Sequence, residues 1–462
     1  MSIVNPNVFR EYDIRGVADR DLPDDLARDL GRALGTFLRR AGKHRIAVGR
    51  DCRLSSPRLH AALTEGLLET GLVLVDLGMQ PTPLMYFGVF FYELDGGVQV
   101  TGSHNPPGDN GFKMMIGKAS LFGADIQTLR GLIEAQDFER APGGRVEHRD
   151  PIPAYAAYMR GNVRLGRTDL RFAFDAGNGA GGRAALAAFQ AVGLSPEALL
   201  VEPDGHFPVH HPDPSQPENL TLLTERVRSG RLELGIAYDG DADRIGVVTA
   251  EGETLWGDKL LILYTRALLA SRPGAAVLGE VKCSQTLYDD IAAHGGRPIL
   301  WKTGHSLIKK KMKEEHALLA GEMSGHVFFA DRYYGYDDAI YASLRLLEIL
   351  STSRLSLREL LADVPPTHAT PELRVACPDD VKFDVVARVL AHYRPTHEIA
   401  DIDGARVKFE GGWGLVRASN TQPVLVLRFE AQSAERLAEI RAEVEAVVAE
   451  AGGGAVGGAA TH

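Results

Sequence analysis

Short apolar runs alternate with stretches of helical periodicity along most of the chain, and this alternation predicts helices layered on β-sheets. The strand-to-loop junctions align by eye as three sets of three strands, which begin at Ile46, Phe172 and Ala276. In each set the third strand ends in a loop rich in Gly and in Ser or Asp. The sets share little identity, so chance similarity is the alternative. We predict three related mixed α/β units, each of which contributes one polar loop.

The C-terminal part of the chain has a different pattern. Two apolar stretches, 407–417 and 424–429, flank a polar loop and predict antiparallel strands, and a helix is expected from 434 to 450. We therefore predict a smaller α+β domain here, followed by a glycine-rich tail that is disordered because ordering glycine is entropically costly. Proline-rich joints help to place the expected segments, which are domains 1–150, 151–253, 254–366 and 367–450 and a tail at 451–462.

Composition narrows the function classes. A chain of 462 residues with 45% hydrophobic and 24% charged residues is an ordinary globular chain that is too long for a single core. Its net charge of −10 argues against nucleic acid or an anionic membrane as the main partner. No apolar run is long enough to cross a membrane, and the N-terminus lacks the pattern of a signal peptide. Three widely spaced cysteines indicate reduced thiols and a cytoplasmic location.

A serine stands on a rigid turn directly after the third strand of the first set. The segment Thr101-Gly-Ser-His-Asn-Pro-Pro107 contains two prolines, which fix φ and remove backbone donors, so the turn cannot continue as a helix. His104 is adjacent to the hydroxyl of Ser103, and Lys113 follows ten residues after Ser103. Ser103 is therefore a candidate covalent carrier, with a turn that only reverses the chain as the alternative.

Three aspartates alternate in the loop after the third strand of the second set. Asp239, Asp241 and Asp243 lie between two apolar runs, and carboxylates this close repel one another unless they share a cation. Hard oxygen ligands suit Mg²⁺, which commonly keeps a phosphate oxygen in its coordination shell. We predict a Mg²⁺ site, with Arg244 beside it as a phosphate ligand. An acidic surface turn is the alternative.

A third loop, Gly321-Glu-Met-Ser-Gly-His326, again follows an apolar run. Glu322 and Ser324 alternate on one side, which suits hydrogen bonds to vicinal hydroxyls of a sugar, and His326 is a candidate for moving a proton. For Ser324 a helix N-cap is the alternative interpretation.

A fourth loop, Arg417-Ala-Ser-Asn-Thr-Gln-Pro423, joins two predicted strands. Its polar side chains and backbone N–H groups suit a nest for a phosphate monoester, formed by Arg417, Ser419, Asn420 and Thr421. A hairpin loop built from ordinary turn formers is an equally good interpretation of the same residues.

Four residues outside these loops are further candidates. Tyr12 and Arg15 lie in a segment of aromatic and charged residues near the N-terminus, and simple pairing of Arg15 with Asp13 is the alternative interpretation. Lys282 and His305 follow the first and second strands of the third set, so we expect them beside the loop that carries Glu322.

Two other patterns favour structural interpretations. The run Lys309–Lys311 shares a predicted helix with two glutamates, which predicts a solvated helix face. The glycines of 175–182 lack the spacing of a dinucleotide loop and a clear downstream acid, so nucleotide binding is weakly supported.

In this order, the serine, aspartate, Glu-Met-Ser and C-terminal phosphate loops resemble those of the α-D-phosphohexomutase family, in particular its bacterial phosphomannomutase/phosphoglucomutase branch. The likeness runs from Phe9 to about Glu450 and rests on four motifs. It implies an α/β fold of three related mixed domains plus a smaller C-terminal α+β domain around a central cleft. It also implies reversible phosphoryl transfer between C1 and C6 of hexose phosphates, through a phosphoserine enzyme and a hexose 1,6-bisphosphate intermediate that also acts as activator.

The resemblance implies a role for each matching residue. The Mg²⁺ ligands are expected to be Ser103, Asp239, Asp241 and Asp243. Catalysis and proton transfer are expected from Ser103, His104, Lys113, Arg15 and His326. Substrate binding is expected from Tyr12, Arg15, Arg244, Lys282, His305, Glu322, Ser324, His326, Arg417, Ser419, Asn420 and Thr421.

Alternatives remain within and outside the family. Met323 and Gly102 stand where the resemblance implies that a phosphoglucosamine mutase carries other residues, so mannose and glucose phosphates are favoured over the amino sugar. A Mg²⁺-dependent sugar-phosphate phosphatase and a non-catalytic sugar-phosphate binding protein are the other candidates. The expected partners are small hexose phosphates, with no nucleic acid or membrane, and the chain is expected to be a monomer, with a dimer as the alternative.

Overall fold

The computed structural model describes residues 5–420 and 422–454, whose strands form four sheets. The strands of the first sheet are β1 (Ile14–Val17), β2 (Arg45–Arg50), β3 (Val73–Met79), β4 (Gly96–Val100), β5 (Asp109–Ile116), β6 (Ala119–Ser120) and β7 (Arg145–His148). Its helices are a 3₁₀ turn (Pro6–Val8), α1 (Ala18–Asp21), α2 (Asp24–Arg40), α3 (Ser56–Glu69), α4 (Thr82–Phe91) and α5 (Ala124–Ala135). The spatial order is β1-β5-β4-β2-β3-β7, with β2, β3, β4 and β7 parallel and β5 antiparallel to β4.

The second sheet repeats this plan with fewer strands. Its strands are β8 (Phe172–Asp175), β9 (Glu197–Leu199), β10 (Leu234–Tyr238), β11 (Ile245–Thr249) and β12 (Thr254–Leu255). Its helices are α6 (Ile152–Asn162), α7 (Gly182–Ala191), a 3₁₀ turn (Pro217–Leu220) and α8 (Thr221–Gly230). Strands β8, β9 and β10 are parallel, and β11 returns antiparallel to β10. Strand β12 pairs with β11, so this sheet reaches two residues past the expected joint at 253.

The third sheet follows the same plan again. Its strands are β13 (Ala276–Glu280), β14 (Arg297–Trp301), β15 (Leu319–Gly321) and β16 (Val327–Phe329). Its helices are α9 (Gly257–Ser271), α10 (Gln285–Ala293), α11 (His305–Glu315), α12 (Ala339–Ser351) and α13 (Leu357–Leu360). Strands β13, β14 and β15 are parallel and β16 is antiparallel to β15. In all three sheets the polar loop therefore joins the third parallel strand to an antiparallel return strand, which confirms the predicted set of related mixed α/β units.

The fourth sheet is antiparallel throughout. Its elements are β17 (His368–Ala369), β18 (Leu373–Ala376), α14 (Lys382–Tyr393), β19 (Ile399–Ala400), β20 (Ala405–Phe409), β21 (Gly412–Ala418), β22 (Val424–Ala431) and α15 (Ala434–Glu450). The α+β prediction is confirmed, but the single stretch 407–417 was wrong, because it contains β20, a turn and β21. Gly411 adopts a left-handed φ of +75°, which reverses the chain there. Residues 451–454 follow α15, and the rest of the predicted disordered tail lies outside the described residues.

One hydrophobic core joins the first three sheets. It takes in side chains of α4, α6, α7, α9 and α12 together with strands from each of the three sheets. The fourth sheet packs against α14 and α15 in a core of its own. Among the described residues no helix combines the length and the apolar character needed to cross a bilayer.

Candidate active site

Ser103 stands on the loop between β4 and β5 in a left-handed conformation, with φ of +49°. The loop is held from behind, because Asp51 Oδ2 accepts the amide of Gly102 at 3.0 Å and Thr101 Oγ1 accepts the amide of Ser103 at 2.9 Å. The Ser103 hydroxyl donates to Asp239 Oδ2 at 2.6 Å and lies 3.1 Å from His104 Nδ1. Burial lowers the pKa of His104, which favours the neutral ring beside the hydroxyl.

The three aspartates occupy the turn between β10 and β11 and are fully buried. One oxygen from each carboxylate lies within 4.8 Å of the others, so Asp239, Asp241 and Asp243 are grouped closely enough to share one metal ion. Asp241 Oδ1 and Asp243 Oδ1 have no hydrogen-bond donor among the described residues. Buried carboxylate oxygens without donors are costly, so this donor set fits a hard divalent cation.

Lys113 supplies one positive charge to this triad from β5. Its ammonium donates to Asp241 Oδ2 at 2.8 Å and to Asp243 Oδ2 at 2.5 Å. Burial by itself would lower the pKa of Lys113, but the carboxylates outweigh burial and raise it. Burial by itself would raise the pKa of Asp241, but the positive charge of Lys113 outweighs burial and lowers this pKa. The pKa of Asp239 is raised, because burial and the neighbouring carboxylates both disfavour its charged form. One ammonium against three carboxylates leaves negative charge for a cation to neutralise.

The third loop lies between β15 and β16 and turns at Gly325, whose φ is +95°. Glu322 is buried, its Oε1 accepts the amide of Gly304 at 2.7 Å, and burial raises its pKa. His326 Nε2 accepts a hydrogen bond from Arg244 Nε at 2.9 Å, so this loop meets the aspartate loop directly. Ser324 is half-buried on the turn and precedes no helix, which rules out its N-cap interpretation.

The fourth loop begins at the end of β21. Arg417 Nε donates to Asp403 Oδ2 at 3.0 Å, and Asn420 Nδ2 donates to the Tyr12 hydroxyl at 2.8 Å. Lys382 on α14 donates to the carbonyls of Ser419 and Gln422 from behind the loop. The predicted phosphate ligand Thr421 lies outside the described residues.

The four further candidates lie beside these loops. The Tyr12 hydroxyl donates to the carbonyl of Thr303 at 3.1 Å, and burial raises its pKa to about 12. Arg15 donates to Asp13 at 2.6 Å and to Asn105 of the serine loop at 2.8 Å. It therefore pairs with Asp13 and also lies beside the serine loop. The other two candidates are Lys282 and His305. The ammonium of Lys282 lies 3.1 Å from a carboxylate oxygen of Glu372, and Nδ1 of His305 lies 3.8 Å from a carboxylate oxygen of Asp337.

One expectation at this site was wrong. Lys309 was assigned to a solvated helix face, but it is 8% exposed and donates to Asp337 Oδ1 at 3.1 Å and to the Tyr86 hydroxyl at 3.2 Å. The Lys309 side chain reaches Tyr86 of α4 in the first domain. Lys310 and Lys311 pair with the glutamates of the same helix as expected.

Several residues that organise the site were missed at the sequence level. Glu280 ends β13 and accepts from the amide of Lys282 and the hydroxyl of Thr303, and Asp337 lies 3.1 Å from His326 Nδ1. A signal was available for Glu280, since a polar residue at the carboxyl end of a parallel strand lies where the other loops meet. Nothing local marked Asp337, which precedes the cap residue of α12.

Side-chain contacts bring the four loops to one place. The serine and aspartate loops meet through Ser103 and Asp239, and the aspartate and Glu322 loops meet through Arg244 and His326. The phosphate loop meets the first domain through Asn420. Such an arrangement can hold a cation beside a reactive hydroxyl and grip a polar, anionic ligand from several sides.

Comparisons with known proteins agree along almost the whole chain. Models of the phosphoglucomutase/phosphomannomutase α/β/α domains I, II and III match residues 6–140, 153–252 and 256–368, and a model of the C-terminal domain matches residues 372–447. A phosphomannomutase/phosphoglucomutase of Pseudomonas aeruginosa is 44% identical over 436 residues, 94% of each chain. A phosphoglucomutase of Neisseria gonorrhoeae is 44% identical over 452 residues, which cover 97% of this chain and 98% of the relative.

A solved structure supports the same assignment. The phosphoglucomutase/phosphomannomutase family protein of Burkholderia thailandensis superposes with a TM-score of 0.92 at 41% identity, and the match covers 98% of this chain and 99% of that one. Sequence identity, domain order and fold agree, and we conclude that the chain belongs to the phosphoglucomutase/phosphomannomutase family.

Proposed function

We propose that this protein reversibly transfers a phosphoryl group between C1 and C6 of hexose phosphates, with mannose and glucose phosphates as its substrates. The observation that carries this proposal is the Ser103 hydroxyl, which lies 2.6 Å from a fully buried aspartate of a three-aspartate cluster. A hydroxyl held there can carry a phosphoryl group next to a divalent cation. The family assignment of the whole chain supports the same reaction class.

The reaction consists of two phosphoryl transfers. In the first, the phosphoserine P–O bond breaks as the free hydroxyl of a hexose 1-phosphate loses its proton and bonds to phosphorus, which yields hexose 1,6-bisphosphate and the serine hydroxyl. After the intermediate reorients, Ser103 takes the phosphoryl group from C1 and a proton returns to that sugar oxygen, which leaves hexose 6-phosphate. Arg15, Lys113, His104 and His326 are the residues that we assign to charge stabilisation and proton transfer.

Asp239, Asp241, Asp243 and Ser103 would hold Mg²⁺, which supplies charge neutralisation at the transferring phosphoryl group. The choice of Mg²⁺ rests on the all-oxygen donor set and on the two carboxylate oxygens without donors. We also assign hexose 1,6-bisphosphate as the activator, because it rephosphorylates a serine that has lost its phosphoryl group.

The sugar and the non-reacting phosphate are assigned to the other two loops and the residues around them. Glu322 and Ser324 would bind the sugar hydroxyls, and Arg417, Ser419, Asn420 and Thr421 the phosphate. A fixed phosphate site recognises either end of the bisphosphate and orients the other end toward Ser103. The remaining contacts are assigned to Tyr12, Arg244, Lys282, His305 and His326.

We further propose a monomeric cytoplasmic enzyme with domains at 1–150, 151–253, 254–366 and 367–450. All four loops come from one chain, which favours function as a monomer, and the three cysteines are free thiols, which favours a reducing compartment. Each proposed domain contains one of the four sheets almost entirely.

Intact-mass analysis with turnover assays tests the reaction. We expect one phosphoryl group on the wild-type protein, its loss on exposure to hexose phosphate, and no turnover by Ser103→Ala. Ser229→Ala, at an exposed serine of α8, should behave as wild type. Removal of divalent cations by chelation should abolish turnover and added Mg²⁺ should restore it. Full activity of Ser103→Ala, stoichiometric release of inorganic phosphate, or a clear preference for glucosamine 6-phosphate would each contradict the proposal as stated.

A further inference from the structure

Arg53 gathers the carbonyl groups of the serine loop. Its side chain is fully buried, and its terminal nitrogens donate to the carbonyls of Ser103, Asn105, Pro106 and Asp109 at 2.5 to 2.9 Å. Both terminal nitrogens are therefore saturated by backbone acceptors. A guanidinium in this position cannot contact a ligand of the site, so any effect on the reaction must pass through the loop.

The remaining carbonyls of the loop are also held. His211 Nε2 donates to the carbonyl of His104 at 2.5 Å, and the carbonyl of Gly102 accepts the amide of Asn105 at 2.9 Å. Every carbonyl from residue 102 to residue 106 thus has a donor that lies away from the serine hydroxyl or within the turn.

The amides of the loop differ from its carbonyls, because one amide has no hydrogen-bond partner among the described residues. Gly102 donates to Asp51, Ser103 donates to Thr101 and Asn105 donates to Gly102, while residues 106 and 107 are prolines. Between residues 102 and 107 the amide of His104 is left without an acceptor in the described part of the chain. Because the peptide bond is trans, the carbonyl of Ser103 and this amide point in opposite directions, so the amide points away from Arg53.

The backbone conformation favours an anion at this amide. Ser103 adopts the left-handed region in a tight turn, and turns that combine left- and right-handed residues form concave nests whose amides bind anions. Gly102 is required by the same arrangement, since a Cβ there would lie 2.5 Å from Arg53 Nε.

We propose that Arg53 is a positioning residue that aims the amide of His104 at the phosphoryl group carried by Ser103, where this amide donates a hydrogen bond to a phosphoryl oxygen in both transfers. The inference rests on the proposed function. It assigns phosphoryl stabilisation to a backbone donor in addition to the metal and the cationic side chains, and it explains why an arginine that contacts no ligand stands behind the reactive serine.

Kinetics of Arg53→Ala test the proposal, with Arg58→Ala as the matched control. Arg58 also donates to backbone carbonyls, those of Ala18 and Leu22, but does not contact the serine loop. We expect Arg53→Ala to lower kcat by on the order of 10²-fold, as loss of an oxyanion donor does. The KM for hexose 1-phosphate should change little, because the other phosphate is held by a separate loop. Millimolar guanidinium should raise kcat of Arg53→Ala and leave Arg58→Ala unchanged.

Unchanged kcat, or equal losses in the two variants without guanidinium rescue, would overturn the role of Arg53. A wild-type protein without mutase turnover would instead refute the proposed function, so the two failures are distinguishable.

A measurement on the wild type decides the matter if Arg53→Ala does not fold. With selective ¹⁵N-histidine labelling, the amide of His104 is identified by its loss in His104→Gln. We expect its proton resonance to move downfield when Ser103 is phosphorylated, and to move less in Arg53→Lys. No change in that resonance on phosphorylation would overturn the assignment of the amide.

Discussion

Asp338 is a buried acid whose partners set its protonation. It caps α12 by accepting the amide of Tyr341 at 2.8 Å, and it accepts hydroxyls of Tyr155 at 2.9 Å and Tyr333 at 2.7 Å. Burial raises its pKa from 3.8 to about 6, which these hydrogen bonds offset only in part. The residue lies in the core that joins the first three domains, so its charge state bears on the stability of that whole body.

This pKa predicts a pH-dependent loss of stability. Because the folded-state pKa lies above the unfolded one, the contribution of Asp338 is fully present below about pH 4 and is lost as the pH rises through 6. At about 1.4 kcal/mol per pKa unit, the free energy of unfolding of the wild type should fall by about 2.5 kcal/mol relative to Asp338→Asn between pH 4 and pH 7. Urea unfolding across this range measures the difference, with Glu225→Gln at an exposed position as control. A constant difference between wild type and Asp338→Asn would contradict it.

Helices α2 and α3 pack backbone against backbone at two glycines. A Cβ at Gly31 would lie 2.2 Å from the carbonyl oxygen of Leu63, and one at Gly66 would lie 2.0 Å from that of Arg28. Backbone atoms of two packed helices cannot give way as a flexible side chain can. The separation of these helices on the first sheet therefore depends on glycine at both positions.

Alanine should have opposite effects at two glycines of the same domain. Gly66→Ala should lower the free energy of unfolding by about 1–3 kcal/mol, since overpacking forces the helices apart. Gly131→Ala on α5, where a Cβ meets nothing within 4 Å, should raise it by up to about 1 kcal/mol through helix propensity. Denaturant unfolding of both variants provides the check, and equal effects of the two substitutions would show that packing at Gly66 is not limiting.

At the scale of the whole molecule, three domains share a core and the fourth contacts them at the cleft. The phosphate loop of the fourth domain reaches the first domain through Asn420 and Tyr12, and Asp403 accepts the amide of Thr303 at 3.1 Å. The fourth domain also packs on the third through a buried apolar cluster, which is formed by Val281, Trp413 and Leu415. It reaches the first domain through the hydrogen bond of Asn420 with Tyr12. Loss of the hydrogen bond to the first domain is therefore expected to shift the closure of the cleft.

Tyr12→Phe should open the cleft. The substitution removes one hydrogen bond to Asn420 and one to Thr303 while it keeps the ring. At about 1 kcal/mol per hydrogen bond, the loss of both should raise KM for hexose phosphate by up to about 30-fold, and the radius of gyration without ligand should increase. Steady-state kinetics and small-angle scattering measure the two effects. Tyr92→Phe, at the end of α4, serves as control, and an unchanged KM together with an unchanged radius would argue against this role for Tyr12.

Local signals were sufficient for most elements and for the polar loops that follow the strands. Alternation of apolar runs with helical periodicity, and polar residues directly after a strand, are properties of short segments, so the three α/β units and the serine, aspartate and Glu322 loops were readable. The break between β20 and β21 could not be predicted from the sequence, because glycines at 411 and 412 are compatible with either a strand or a turn. Ser103 itself was identified in this way, but its left-handed φ was not.

The sequence by itself determined which residue types stand at the ends of the strands, and hence the chemistry that they offer. Only the tertiary structure decided which distant side chains support them. Lys309, Arg53 and Asp337 are polar residues that a local pattern assigns to solvent or to no role, yet each is buried against a partner remote in the chain. Burial of a charge is tolerated only where folding brings its partners together, and that meeting is a property of the whole molecule rather than of any segment.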